Sequence, residues 1–383
     1  MKKLNFIILL AAAVVIIACD AKETVTQEGP LPARGKIPLQ LCSGISMDAH
    51  MAKTRAHDTS WDANDEIGVF TTVAGSGTNT ETNPYVITKS GSQDDANITY
   101  KIASSQETWV YDSGEEVYKN SYKAFSPSDE DVQIYLPADG SNVDVYAYYP
   151  RTEGVTASNP LSIAIPGDEN SAQTLPEQRN VDVMMAKVLT TESDPINIDN
   201  TTAQLLFSHV LSKVIVKIKA GTGYSDSDLQ GEKVGSVQLL GQPKQATFDP
   251  ISQELVIPEN PTTGIITMLE LGLTANGTAT DPDYVAYVTN NSDDTKNRIL
   301  HTYRAIILPN DEQNNPVTTG TQRQIKFNVG ETYYLFDITQ EFEPGQQTVY
   351  TITLAATGIT VEAAISDWTS QAITPSTPLY PEN

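Results

Sequence analysis

Few residues in this chain are set up for chemistry, and the first of them is Cys19. Lys2 and Lys3 make a basic start, residues 6–17 are an unbroken apolar run, and Ile16-Ile17-Ala18 puts a small residue directly before the cysteine. That order is a secretory signal peptide ending in the pattern of a bacterial lipobox. Residues 1–18 are therefore expected to be removed and the Cys19 thiol to carry a diacylglycerol. The apolar run is too short for a comfortable transmembrane helix. An ordinary signal with an incidental cysteine is the alternative, and it exports the chain equally well. The other cysteine, Cys42, lies in an alternating apolar stretch and reads as a buried, inert thiol. With Cys19 lipidated, no disulfide framework can form within one chain.

The remaining candidates are thin. His50 and His57 stand close together in a polar stretch, but their spacing fits no common zinc site; His209 and His301 complete the four histidines. A structural or solvent-exposed role is the simpler reading of all four. The chain contains no GxSxG, no HExxH and no GxxxxGK[ST]. Asp65 and Glu66 are adjacent, so a strand would point them to opposite faces. Residues 92–95 read as an acidic turn, and nothing among the 48 acidic residues marks out a glycosidase pair. Asp281-Pro-Asp283 and Ser292-Asp-Asp294 have the oxygen chemistry for Ca²⁺, with solvated loops as the simpler account. The expectation is a protein without catalytic residues, metal ligands or cofactor.

Charge narrows the partners. The formal net charge is −24, and loss of Lys2 and Lys3 with the signal makes the exported chain two charges more negative. Such a surface repels phosphate backbones, which argues against nucleic acid, and it offers no basic patch for an anionic membrane. Self-repulsion that keeps a crowded surface protein dispersed is the simpler role of this charge.

The elements that must position these residues are strands. After a polar tether, residues 19–35, the chain runs through short stretches rich in Val, Ile, Tyr, Phe and Thr, broken by Gly, Pro, Asn and Asp, with no sustained helical periodicity. This is an all-β pattern of the sandwich type. Strands are expected at 37–45, 66–72, 98–102, 133–136, 143–149, 161–165 and 181–186. A second set is expected at 202–207, 213–219, 233–240, 246–249, 254–257, 265–271, 283–288, 301–308, 324–329, 331–335, 347–355 and 360–365. In 213–219 the lysines Lys213, Lys217 and Lys219 share one face, while Val214, Val216 and Ile218 share the other. A turn of helix is expected just before, near Leu211. The polar, proline-bearing stretch 191–200 places a domain boundary near residue 198, giving domains over 36–198 and 199–383.

Several blocks together resemble the fimbrillin-like lipoproteins of Bacteroidetes, the subunits of major and minor fimbriae (type V pili). They are the lipobox at Cys19, Thr54-Arg55 followed by Trp61-Asp-Ala-Asn-Asp-Glu-Ile-Gly-Val-Phe70, Val143-Asp-Val-Tyr-Ala-Tyr-Tyr-Pro150, Asp182-Val-Met-Met-Ala-Lys187, Leu206-Phe-Ser-His-Val-Leu-Ser-Lys-Val214 and Ile359-Thr-Val-Glu-Ala-Ala-Ile-Ser-Asp-Trp368. They span the chain in the family's order. Asn64 stands where the family's second block usually has Gly.

The resemblance implies two transthyretin-like β-sandwich domains in tandem. It implies an outer-membrane lipoprotein precursor that an Arg-specific surface protease cuts after a loop arginine, and subunits that join at the cell surface by strand exchange. Arg55 before Ala56 matches the cleavage position. Cutting there removes the pro-strand and processing loop, residues 36–55, together with Cys19 and its lipid. Ile37, Leu39, Leu41 and Ile45 would be the side chains that fill the groove until then. The tail, residues 369–383, carries Ala372, Ile373, Leu379 and Tyr380 among three prolines and would be a donor arm or a frayed end. Expected partners are other fimbrial subunits, the protease and the outer membrane. A monomeric surface lipoprotein that binds glycans is the rival reading, carried by Trp61, Trp109, Trp368 and 17 tyrosines; a secreted hydrolase stands well behind both.

Overall fold

The computed structural model describes residues 37–45, 61, 65–74, 86–88, 97–102, 109–112, 119–129, 132–137, 139–156, 158–224, 229, 233–272, 299–310, 323–367 and 376–379. These form strands almost throughout. In chain order they are β1 (Gln40–Ile45), β2 (Glu66–Val73), β3 (Val86–Thr88), β4 (Ile98–Ile102), β5 (Trp109–Asp112), β6 (Lys119–Pro127), β7 (Val132–Ile134), β8 (Val143–Tyr149) and β9 (Leu161–Ala164). A short helix, α1 (Leu175–Val181), precedes β10 (Met184–Val188), β11 (Thr202–His209), β12 (Ser212–Ala220), β13 (Gln238–Pro243), β14 (Gln245–Asp249), β15 (Glu254–Val256) and β16 (Thr263–Thr267). The chain closes with β17 (Leu269–Leu271), β18 (Ile299–Ile307), β19 (Gln324–Val329), β20 (Thr332–Asp337), β21 (Gln346–Ala355), β22 (Gly358–Asp367) and β23 (Ser376–Leu379).

The first large sheet runs β1-β11-β10-β8-β2-β4-β6-β5, and β1 also pairs with β6. Seven of its strands thus close into a ring, with β5 extending from β6. Closure leaves those strands no free edge. The second half carries a six-stranded sheet, β17-β18-β12-β21-β22-β23, a four-stranded sheet, β16-β13-β19-β20, and a three-stranded sheet, β15-β14-β9.

Two hydrophobic cores result, and β2 and β8 lie between them. Along β8, Val143, Val145 and Ala147 enter the core inside the ring, whereas Tyr146 and Tyr148 enter the second core. Likewise, Ile67 and Val69 of β2 face the first and Phe70 the second. A strand apolar on both faces reads as a near-continuous hydrophobic run rather than an alternation, and after an alternating start at Val143-Asp-Val145 this strand does so from Val145 to Tyr149. The second core also takes Val155, Leu161, Ile163, Ile165, Val181 and Val183, all from before residue 198, and β9 pairs with β14 across that point.

Among the described residues the chain passes between the two cores three times, once after β8 between Tyr149 and Val155 and then at two neighbouring places. At 181–184 it leaves α1 and enters β10; at 209–212 it leaves β11 and enters β12 with only Val210 and Leu211 between. That last passage corrects the helical turn expected near Leu211. The two neighbouring passages are clasped. The Val210 amide donates to the Val183 carbonyl at 2.8 Å, and the buried His209 Nδ1 meets Asp182 Oδ1 at 2.8 Å. Next to them the Gly345 amide donates to the Leu211 carbonyl at 2.8 Å, and Ser212 Oγ donates to the Glu343 carbonyl at 2.7 Å.

Helix α1 replaces the start of the strand expected at 181–186. Thr174 caps it, with the Glu177 amide donating back to the Thr174 hydroxyl and the Glu177 carboxylate taking the Thr174 amide, a reciprocal capping box. Buried Gln173 and Gln178 then act on the side of β18. Gln173 Nε2 donates to the Ile306 carbonyl at 2.9 Å, and its Oε1 accepts the Ile306 amide at 3.0 Å. Gln178 Nε2 donates to the Arg304 carbonyl at 3.0 Å, while its Oε1 accepts from Arg304 Nε at 2.8 Å. Two side-chain amides thus satisfy backbone groups as a neighbouring strand would. In β12 the expected alternation holds, with Val214, Val216 and Ile218 in the core; Lys213 and Lys217 on the other face are buried as well.

Candidate functional site

The site with most to explain is the seat of β1. The chain enters it with Ile37 half-buried against the ring's core. The Leu39 amide donates to the Ile134 carbonyl and the Leu136 amide to the Ile37 carbonyl, each at 2.9 Å. Ile134 is held from its other side, since its own amide donates to the Tyr100 hydroxyl at 3.1 Å. Burial pushes that phenol well above the usual tyrosine range.

From Gln40 onward β1 lies between two strands of opposite direction. It runs parallel to β11, with Gln40 opposite Thr202, Leu41 opposite Ala203 and Ile45 opposite Phe207. It runs antiparallel to β6, with Leu41 opposite Phe125 and Ser43 opposite Lys123. Leu39 and Leu41 are buried to 4 % and 3 % exposure in the ring's core. Ile37, Leu39 and Leu41 are thus brought together on one side; Ile45 is placed by its backbone alone.

The chain leaves this seat at Ile45, opposite Phe207, and is next placed at Trp61, whose ring centroid lies 5.0 Å from that of Phe207. Departure and return are therefore beside the same residue. Arg55 and Ala56 belong to the stretch between and lie outside the described residues, as does Cys19. Trp61 also meets Phe125 at 5.3 Å and Tyr149 at 5.4 Å, edge to face in all three cases. It is buried, so its ring is not offered to a sugar.

Just beyond, Gly68 stands opposite Tyr148 across β2 and β8. A side chain at Gly68 would run into the Tyr148 ring and the Asn97 amide oxygen. The Tyr148 hydroxyl accepts from Asn97 Nδ2 at 2.8 Å and from the Thr152 amide at 3.1 Å. The glycine of the Ile-Gly-Val-Phe block is thus the space into which a buried tyrosine fits.

Cys42 corrects its expectation. It is buried, but it is disulfide-bonded and not a free thiol; its partner lies outside the described residues. Of the tail, Leu379 is placed, opposite Ile359 where β23 pairs antiparallel with β22. Ala372, Ile373 and Tyr380 are outside the described residues.

Among the described residues no group of three or more His, Cys, Asp and Glu is arranged to hold a metal. His50, His57, Asp281, Asp283 and residues 292–294 are outside them. Asp65 Oδ1 accepts from the Tyr149 hydroxyl at 3.2 Å and Glu66 Oε1 from Ser128 Oγ at 3.3 Å, so the two adjacent acids are separately engaged. His301 places Nδ1 2.8 Å from Glu270 Oε1 and Nε2 2.7 Å from the Leu229 carbonyl. Burial, the largest single influence, pulls its pKa down; the Glu270 hydrogen bond, the Leu229 carbonyl and the Glu270 charge together carry it above the ordinary histidine value. Sequence reasoning missed the His209–Asp182 clasp, the Gln173 and Gln178 contacts and the position of Trp61 between the walls of the seat. Only the Thr174-x-x-Glu177 capping box, which marks α1, was open to it.

A curated Bacteroides uniformis protein named as a candidate fimbrium subunit, Fim1C, is 26 % identical over 379 residues, covering 96 % of each chain. Crystal structures of candidate cell adhesion proteins from Bacteroides uniformis (22 % identity, TM-score 0.54) and Bacteroides ovatus (18 %, TM-score 0.53) share the fold. They cover 87 % and 88 % of this chain and 99 % of their own. The fimbrillin-like family model matches residues 54–368, from just before Arg55 to Trp368. This chain belongs to the fimbrillin-like family.

Proposed function

We propose that the protein is a structural or adhesive subunit of a cell-surface fimbria, and that β1 is a temporary occupant of its own fold. On this reading the chain is exported as a lipoprotein through Cys19, which requires the Cys42 disulfide to be open, is cut after Arg55 by an Arg-specific surface protease, and is assembled by strand exchange. It comprises two transthyretin-like sandwich domains meeting near residue 198, with the excursion from 155 to 183 serving the second core. The observation that carries the proposal is the place of β1. It comes from the segment ahead of Arg55, and among the described pairings it is the only strand that pairs with both β6 and β11. Removing it would strand backbone donors and acceptors on both walls and uncover the pockets of Leu39 and Leu41. A strand from a neighbouring subunit satisfies both needs, by main-chain bonds along its length and by side chains at alternate positions. Head-to-tail donation of this kind need not close into a ring, so it builds a filament. The donor arm is proposed to be the tail around Leu379, docked on its own edge until used.

The test is the N-terminus and intact mass of the protein taken from the outer surface of the native cell, before and after Arg-specific proteolysis. A new N-terminus at Ala56 together with oligomer ladders is expected. A lipidated Cys19 terminus that resists the protease would overturn the polymerising reading. The same masses read the cysteines. A thioether at Cys19 and an intramolecular disulfide at Cys42 exclude each other, because the chain has two cysteines.

A further inference from the structure

We propose that Trp61 is a positioning residue that holds the two walls of the β1 seat apart and in register once the segment before it has gone. The inference rests on the processing reading above. In the ring, β6 and β11 meet only through β1; the other way round, the path runs through β10, β8, β2 and β4. Neighbouring strands are spaced by about 4.8 Å, so walls that have lost the strand between them face each other across about 10 Å. Nothing in backbone pairing keeps that distance. An apolar slot of this width closes on itself or splays, and either change spoils the register an incoming strand needs.

Trp61 is placed to prevent both. Its ring lies edge to face on Phe125 of β6 and on Phe207 of β11. Those two residues stand opposite Leu41 and Ile45 of β1. The third contact, Tyr149, ends β8 and fixes the indole from the far side of the ring. The largest side chain available thus touches each wall at a residue that β1 itself uses. It also lies after Arg55, so cleavage spares it: with a terminus at Ala56 it becomes the sixth residue of the processed chain. In the uncut chain β1 and Trp61 share the task, and in the cut chain Trp61 carries it alone.

The test uses full-length protein cut after Arg55 and freed of its pro-segment, with a synthetic peptide of residues 37–45 as the probe strand. W61L, which keeps an apolar side chain and loses the three edge-to-face contacts, is expected to capture the peptide at least about tenfold more slowly than wild type, while the uncut W61L chain still folds and is cut normally. W61F, which keeps one ring, is expected to fall between them, and it carries the test should W61L fail to fold. Equal capture rates for wild type and both folded variants would overturn the pin and leave the processing reading standing. Cut wild-type protein that captures no peptide would overturn the processing reading itself, and the pin with it.

Discussion

Leu41 offers the most direct test of how firmly β1 is seated. It is buried to 3 % exposure, stands opposite Ala203 on one side and Phe125 on the other, and belongs to the ring's core. Truncating such a leucine to alanine costs about 2–5 kcal/mol, the transfer term plus the cavity left behind. If β1 leaves its seat after the proposed cleavage, the loss applies only to the seated state, because in the free segment the side chain is in water in both variants. A cost of about 3 kcal/mol shifts the seated-to-released equilibrium by roughly 150-fold, since about 1.4 kcal/mol is a factor of ten. Detergent-solubilised precursor would be cut with an Arg-specific protease, and the pro-segment remaining with the body followed by mass spectrometry after rapid dilution. L41A is expected to release its segment about a hundredfold faster than wild type. A companion change, Leu39→Ala, should act in the same sense, but the two will not add in full because both side chains sit in one pocket system. Release rates for L41A within twofold of wild type would refute the reasoning, because they would mean that Leu41 makes no contact whose loss limits departure.

Three further outcomes follow from contacts elsewhere. His301 donates to the Leu229 carbonyl and faces Glu270, and its pKa is raised. Its contribution is therefore complete below about pH 6.5, the unfolded-state value, and is lost as pH rises through the folded-state value; the melting difference between wild type and E270Q should be larger at pH 5.5 than at pH 8.5. Gly68→Ala drives a methyl group into Tyr148 and Asn97, and we expect a loss of about 3 kcal/mol in denaturant unfolding, whereas Gly272, where an added methyl meets nothing within 4 Å, should show no such steric loss. Gln178→Ala removes a donor to the buried Arg304 carbonyl and an acceptor of Arg304 Nε, for which a loss of about 1–3 kcal/mol is expected, read as a lower midpoint with an unchanged slope.

How much of this was legible depends on how far each signal reaches. Strands that keep a regular pattern over their whole length, such as Val143–Tyr149 and Gln324–Val329, appear in the structure with their expected bounds. β6, with the sequence KNSYKAFSP, has few β-branched residues and no clean alternation, so it was missed although it forms one wall of the seat. β3, β5 and β23 are too short to carry a period. Residues 283–288, expected as a strand, are outside the described residues. The burial of Leu39 and Leu41 was readable because alternation around Pro38 marks them. What could not be read is their company: β1 pairs with strands more than 75 and more than 155 residues away, and no local pattern encodes a partner at that distance. The same holds for Leu161-Ser-Ile-Ala164, legible as a strand yet claimed by β14 of the second core. The disulfide at Cys42 has no local signature in the sequence, since a buried thiol and a bridged cysteine suit the same apolar alternation.

The paired passages at 181–184 and 209–212 have a mechanical meaning for a protein built into a fibre. Tension applied at one core reaches the other through these two segments side by side, besides the stretch from Tyr149 to Val155, and not through a lone linker. The load is shared, and the clasp between Val210 and Val183 and between His209 and Asp182 ties the two segments together. Neither passage contains slack: two residues separate β11 from β12, and Asp182 and Val183 separate α1 from β10. A subunit joined this way would behave as a stiff rod segment, and the give in a fibre of such subunits would lie where one copy meets the next.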